Sequence, residues 1–305
     1  MSYVLVTPAR NEAQLIAATI QSVVAQTVLP LKWAIVSDGS TDGTDEIVRK
    51  YADLHPWIEL VRMPERTERH FAGKVHAFNA GYARMAGLPY QVIASLDADI
   101  TFDPEYFAFL LRKLGEDPRL GLVGTAYRDA DSEVYDYRYV SEEDVSGACQ
   151  VMRRECFEQV GGYVPVKGGA VDTIIVLAAR MKGWKTRCFT DKMSQHHRKQ
   201  GTAQRGPLQA RFDEGAKDYA MGNHPLWQLF RVVYQMTKKP FVLRGVALGA
   251  GFLFATLRRR ERPVPRELVA FRRREEMQRL ARAITRKSPA RIAAASSPDA
   301  SRASK

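Results

Sequence analysis

The 305-residue sequence predicts an α/β fold: a mixed, mostly parallel sheet flanked by helices, with a helical extension at the C-terminal end. Three observations carry this expectation. Apolar, β-branched runs alternate with stretches of helical periodicity through residue 123. Three of those runs stop in polar, turn-forming clusters. Beyond residue 225 the remaining patterns are helical, and positive charge gathers toward the end.

The first run, residues 3–7, is β-rich and stops at Pro8. Asn11 is placed to cap a following helix, with Leu15, Ile16, Ile20, Val23 and Val24 at helical spacing. A second strand over 33–36 runs into Ser37-Asp38-Gly39-Ser40-Thr41-Asp42-Gly43, a dense turn signal. A helix over 44–53, a strand over 58–61 and a helix over 74–86 follow. The apolar strand 92–96 leads straight into Asp97-Ala98-Asp99. Pro104 opens a helix that reaches Leu114, and 120–123 is a further strand. Such alternation builds a mainly parallel sheet, whose ligands bind beyond the carboxyl ends of the strands. The clusters 7–12, 38–45 and 97–99 are therefore expected to converge on one site. The second half is less regular. Residues 174–181 read as a helix, 186–189 as a short strand, and 195–206 as a polar loop. Residues 286–305 are expected to be a disordered tail, rich in Ser, Ala, Pro and Arg.

Charge is unevenly spread. Of the net +12, the segment 258–305 carries +10, from 15 Lys/Arg and 5 Asp/Glu. The main body therefore has little call for a polyanionic partner. No aromatic-rich platform accompanies the basic end, so nucleic acid is not expected. The three cysteines are odd in number and form no Cys-x-x-Cys pair, as expected of structural thiols in a reduced compartment. The opening Met-Ser-Tyr-Val-Leu-Val-Thr is too short and too uncharged to read as a signal peptide.

Asp97 and Asp99 lie two apart, so on an extended segment both side chains point the same way. Adjacent carboxylates are costly without a cation. A hard divalent ion such as Mg²⁺ or Mn²⁺, shared with substrate phosphates, resolves that cost. A solvated pair in a turn is the plainer alternative, and the apolar strand directly before the pair favours the ligand reading. The 7–12 loop holds neither Gly-x-Gly-x-x-Gly nor a Gly-Lys-Ser/Thr phosphate loop, which disfavours nicotinamide enzymes, P-loop enzymes and sugar-nucleotidyltransferases.

The loop 7–12, the segment 36–44 and Asp97-Ala98-Asp99 together resemble the family 2 glycosyltransferases of the GT-A fold. The resemblance covers residues 2–200 and rests on three motifs in the right order and spacing. The family usually shows Asp-Asp-Gly-Ser; here Ser37 replaces the first Asp, and Asp38 keeps the second. The resemblance implies a GT-A domain over 1–225 with a Rossmann-like sheet. It implies that Thr7, Pro8, Ala9 and Glu12 line a nucleoside pocket and that Asp38 bonds the edge of the base. Asp97 would contact ribose or donor sugar, and Asp99 would hold the metal. Lys74, in Gly73-Lys74 with Asn79 and Gly81 downstream, is similar to the family's donor-binding segment and could neutralise diphosphate charge. Otherwise it is a solvated lysine at a helix start.

Residues 147–163 look like the family's acceptor-side segment. The family then commonly shows Glu-Asp, with the Asp as catalytic base; here the pair is Val171-Asp172. The resemblance makes Asp172 the base of an inverting transfer, with a helix N-cap as the alternative. His196-His197-Arg198 follows 24–26 residues later, where related enzymes often place a third metal ligand. Neighbouring residues in a strand point to opposite sides, and His196 is the expected ligand, a structural histidine being the alternative. The Gln-x-x-Arg-Trp motif of processive synthases is absent, which disfavours a long-chain synthase.

Residues 241–257 are mostly apolar, with Arg244 and three glycines inside and basic residues on both flanks. The segment is short for a bilayer span, and Arg244 at mid-bilayer would cost about 2.5–3.5 kcal/mol. A span, an interfacial segment and a packing helix all stay open. Residues 268–284 can form a basic helix with Met277, Leu280, Ala281 and Ile284 on one face, which suits anionic lipid. An oligomer contact or a solvated helix is the alternative. The expected protein moves a sugar from a nucleotide-sugar donor to a glycan or lipid-linked acceptor. Its expected position is cytoplasmic, peripheral at the inner face of the plasma membrane, with the basic region 226–285 on anionic lipid. A non-catalytic, transferase-like binding module is the rival from another class.

Overall fold

The computed structural model describes residues 1–65, 72–129, 141–166, 169–198 and 206–285. The expected tail at 286–305 lies outside them. Among the described residues, eight strands form one sheet: β1 (Tyr3–Ala9), β2 (Lys32–Asp38), β3 (Ile58–Met63), β4 (Val92–Leu96), β5 (Ile100–Thr101), β6 (Leu120–Asp129), β7 (Cys149–Arg153) and β8 (Lys185–His196). Their order is β3-β2-β1-β4-β7-β6-β8-β5. The first four in that order are parallel. β7 runs antiparallel to both its neighbours, β6 and β8 are parallel, and β5 closes the edge antiparallel to β8. The sheet is the mixed, mostly parallel one expected.

The helices are α1 (Ile16–Val24), α2 (Thr44–Leu54), α3 (Ala72–Ala83), α4 (Tyr106–Glu116), α5 (Arg154–Val160), α6 (Val171–Met181), α7 (Pro207–Ala220), α8 (Pro225–Met236), α9 (Leu243–Leu257) and α10 (Arg266–Thr285). Strand side chains alternate between faces, and both faces here are apolar and covered, as a parallel sheet requires. Tyr3, Leu5, Trp33 and Ile35 pack with α1, α2 and α4. Val4, Val6, Ala34 and Val36 pack with α3 and, further along, with α5 and α6. α3 lies so close to the sheet that a Cβ at Gly81 would stand 2.6 Å from the Val6 side chain.

Several expectations shift. Asn11 does not cap α1. It takes a left-handed backbone (φ 55°), and its side chain accepts the Thr41 N–H, tying the β1 loop to the β2 loop. β8 continues through residue 196, so the front of the expected loop is strand. β7 and α5 occupy the segment read only as acceptor-side. In the extension, the glycines of the 241–257 segment serve close helix packing. A Cβ at Gly251 would collide with the Phe212 carbonyl of α7, and one at Gly245 with the Val232 carbonyl of α8. α9 has 15 residues, and no helix among the described residues is long and apolar enough to cross a membrane. The boundary expected at 225 falls between α7 and its packing partner α9.

α10 is not a free basic helix. Leu268, Val269 and Leu280 are buried against the body. Glu275 receives both arms of Arg180 on α6 at 2.9 Å, and Arg279 bonds Asp144 at 2.9 Å. Four of its polar residues, Arg273, Glu275, Glu276 and Arg279, bond across to the body.

Candidate active site

The parallel register pairs Pro8 with Val36 and Ala9 with Ser37, which sets the loops after β1 and β2 side by side. The Glu12 N–H donates to Thr44 Oγ1 at 2.8 Å, and the Ala13 N–H to Asp42 Oδ2 at 3.0 Å. Asp38 ends β2 buried, with Arg10 Nη1 3.9 Å from its Oδ2. Thr7 and Ala9 turn their side chains inward. Period-2 alternation places them on the Leu5 face, and the Thr7 hydroxyl accepts from Trp33 Nε1 at 3.0 Å. Their side chains belong to the core. Pro8 and Glu12 remain partly accessible at the strand end.

Asp97 follows β4, and its N–H bonds the Ala148 carbonyl at 2.9 Å. Lys74, from the start of α3, meets Asp97 Oδ1 at 2.5 Å and the Gly147 carbonyl at 3.4 Å. Burial pushes the Asp97 carboxyl upward, against the pull of Lys74 and with help from the Asp99 charge. Burial works against the Lys74 ammonium, but Asp97, then Asp172 and Asp99, outweigh it and hold the lysine charged.

Asp99 meets His196 because β5 pairs with β8, with Ile100 opposite His196. His196 Nε2 lies 3.5 Å from Asp99 Oδ2, and both side chains are buried. His197 turns the other way and bonds Thr101 Oγ1 at 2.8 Å. Burial alone would raise the Asp99 pKa; the bond and charge of His196, with Arg198 and Lys74, bring it below the usual carboxylate range. Arg198, to which the sequence assigned no role, stands 2.5 Å from Glu12 Oε2 and 3.8 Å from Asp99 Oδ2. Burial pushes the Glu12 carboxyl up to about 7, partly offset by Arg198. The adjacency of a cation to the histidine pair was the available signal for Arg198.

Asp172 lies in the first turn of α6, after Ala170 in a left-handed conformation (φ 65°) and with no side-chain cap. It is therefore not the N-cap. A Cβ at Gly147 would stand 2.8 Å from Asp172 Oδ2, so only glycine admits the carboxylate here. Gln150 Nε2 donates to the Asp172 and Val145 carbonyls, and the Tyr163 hydroxyl donates to Gln150 Oε1 at 2.7 Å. Gln150 and Tyr163 lie in the segment read as acceptor-side, but the motif gave neither a role. They act on the backbone of α6 from a strand and a turn that only the fold brings near.

The donor set can be weighed for a divalent ion. Among the described residues no group of three His, Cys, Asp or Glu could hold a metal. The side chains of Asp99 and His196 converge and could supply two ligands. That fits an ion whose remaining positions are taken by phosphate oxygens and water.

Charged side chains thus gather beyond the carboxyl ends of the strands of a mixed α/β sheet. Residues 4–143 match the glycosyl transferase family 2 model, and that part of the chain is a family 2 glycosyltransferase domain of GT-A fold. Chondroitin synthase of Pasteurella multocida is 29% identical over 126 residues, 41% of this chain and 12% of that protein. Poly-β-1,6-N-acetyl-D-glucosamine synthase of Staphylococcus aureus is 28% identical over 113 residues, 37% of this chain and 25% of that protein. The chain thus matches a quarter or less of the length of these relatives. The mannosyltransferase PcManGT of Pyrobaculum calidifontis, solved with GDP-Man and Mn²⁺, shares the fold. It has a TM-score of 0.55 at 23% identity, over 94% of this chain and 76% of that one.

Proposed function

We propose that the chain is an inverting glycosyltransferase. It moves one sugar from a nucleoside-diphosphate donor to a glycan or lipid-linked acceptor, in the synthesis of cell-surface polysaccharide or glycolipid, at the inner face of an anionic membrane. The observation that carries this is the cluster of charged groups gathered from strand ends and helix starts. Lys74 joins Asp97 at 2.5 Å, Asp99 joins His196 at 3.5 Å, and Asp172 packs on Gly147 beside Lys74. The synthase relatives and the GDP-Man and Mn²⁺ of PcManGT support the same chemistry by likeness.

On this reading Asp38 and the Pro8–Glu12 side receive the nucleoside, and Asp97 the ribose or sugar. Asp99 and His196 would hold Mg²⁺ or Mn²⁺, which when bound supplies positive charge to the diphosphate. Lys74 adds a fixed ammonium where negative charge grows on the departing nucleoside diphosphate. Asp172 takes the proton of the acceptor hydroxyl as that oxygen forms a bond to the anomeric carbon. The bond to the diphosphate oxygen breaks on the opposite face, so the configuration inverts.

The test is release of nucleoside diphosphate from UDP- and GDP-sugars by the full chain, with acceptor extract, in Mn²⁺ and in EDTA. Release is expected with one donor class, and EDTA and His196→Ala each suppress it. No release with any donor would sink the reading and favour a binding module.

A further inference from the structure

Between Asp218 and Glu261 the chain has no Asp or Glu and seven Lys/Arg. This stretch holds α8, α9 and the turn between them, where the largest group of exposed apolar side chains lies. On α8, Leu226, Leu229 and Val233 are 53–60% exposed and share one face at i, i+3, i+7. On α9, Leu243, Val246, Leu253 and Leu257 are 49–74% exposed and repeat along one stripe over the whole helix.

Both stripes face the same way. At 100° per residue, the α9 stripe lies opposite Leu248, Gly251 and Ala255, which are buried on the α7 side. The α8 stripe lies opposite Arg231, whose guanidinium bonds Glu214 and Asp218 of α7. The α8–α9 pair is thus a layer with α7 on one side and an apolar surface on the other. Basic residues bracket that surface. Lys238 and Lys239 stand in the turn at one end of α9, and Arg258, Arg259 and Arg260 at the other. The two ends are about 22 Å apart along the helix. Phe241, 59% exposed, sits in the same turn.

We propose that this face of α8 and α9 lies flat in the interface of an anionic lipid bilayer, with both helices in the membrane plane. Charge complementarity selects that occupant. A second copy of the chain would bring its own lysines and arginines against these, with no carboxylate in the stretch to offset them. A bilayer supplies hydrocarbon for the stripes and anionic headgroups for both basic ends. The surface is α8–α9 and not the more basic α10, whose apolar side is already buried against the body. The inference deepens the membrane part of the proposed function, naming the surface that would touch lipid, and does not depend on the transfer chemistry.

Flotation of the full chain with phosphatidylcholine vesicles containing 30% phosphatidylglycerol, and with pure phosphatidylcholine, tests it without any sugar donor. Binding to the anionic vesicles alone is expected. Val246→Glu with Leu253→Glu lowers the bound fraction at least tenfold, and so does Leu229→Glu with Val233→Glu on the other helix. Two separate pairs guard against one variant failing to fold, and far-ultraviolet circular dichroism is unchanged in both. Arg274→Glu on α10 leaves binding within twofold. Wild-type binding that both apolar variants retain overturns the proposal. So does a chain that floats with neither vesicle but sediments as a dimer that the apolar variants dissociate. Nucleoside-diphosphate release is measured on the same variants; a dead donor site with intact flotation refutes only the transferase reading.

Discussion

Glu12, Asp38 and Asp97 stand at the ends of three adjacent parallel strands, each within a few residues of the apolar run that places it. Asp172 stands on a helix that is fixed from far away. Gln150 on β7 holds its carbonyl, and α10 holds α6 through Arg180 and Glu275, 95 positions apart in sequence. On the proposed reading, the carboxylates of the donor side are thus placed by local chain order, although Asp99 and Glu12 take their partners from β8 and the residues after it, while the acceptor side is placed by long-range packing. Damage at a distance should reach the second and spare the first.

The largest expected effect tests the acceptor side directly. Asp172→Asn keeps the shape and removes the base. Sugar transfer should fall about 10²–10⁴-fold, while donor affinity measured by calorimetry stays within a factor of a few. Unchanged turnover would remove Asp172 from its proposed role. Next comes the remote support. Arg180 is nearly buried and bonds Glu275, Asp144, Thr186 and the Glu143 carbonyl. Arg180→Met leaves Glu275 and Asp144 short of a partner, at a cost of about 3–5 kcal/mol. The thermal midpoint should drop by roughly 6–15 °C. At a permissive temperature, transfer should fall while donor affinity holds. Equal losses of both would show that the two sides are not separate.

The same division explains what was legible in the sequence. Strand–helix alternation and polar strand ends are local signals, and the first 123 residues followed them, with β1 and β2 running two residues beyond their expected ends. The inward turn of the Thr7 and Ala9 side chains had no signal in the motif, which names a segment while the pleat decides which side chains face out. His196 was separated from its neighbour by strand alternation alone, yet its partner depended on β5, two residues long and below any periodicity. The extension was hardest to read. Glycines that looked like flaws in a bilayer span are contact points with α7 and α8. Several charges on α10, the helix expected to suit anionic lipid, instead meet Arg180, Asp144 and the His224 N–H in the folded chain. Neither fact has a local signature.

The smallest effect separates the two sides by pH. Asp144 lies where Arg180 and Arg279 converge, so it belongs to the acceptor-side clamp. Its burial would raise its pKa, but Arg279 and Arg180 outweigh that and hold the carboxyl below the usual range. A depressed folded pKa contributes stability that is present above the unfolded value, about 3.9. It is lost as pH falls through the folded one. The clamp should therefore be at full strength from pH 7 down to about 5. Asp144→Asn should lower the thermal midpoint across that range, and the gap to wild type should close below about pH 4. Hydrogen exchange at pH 7 should show faster exchange in α6 and α10 of the variant and no change in β1, β2 and β4. A midpoint gap that persisted undiminished to pH 3 would mean that the Asp144 charge contributes nothing there. Faster exchange in β1 and β4 as well would mean that the donor side leans on the clamp after all.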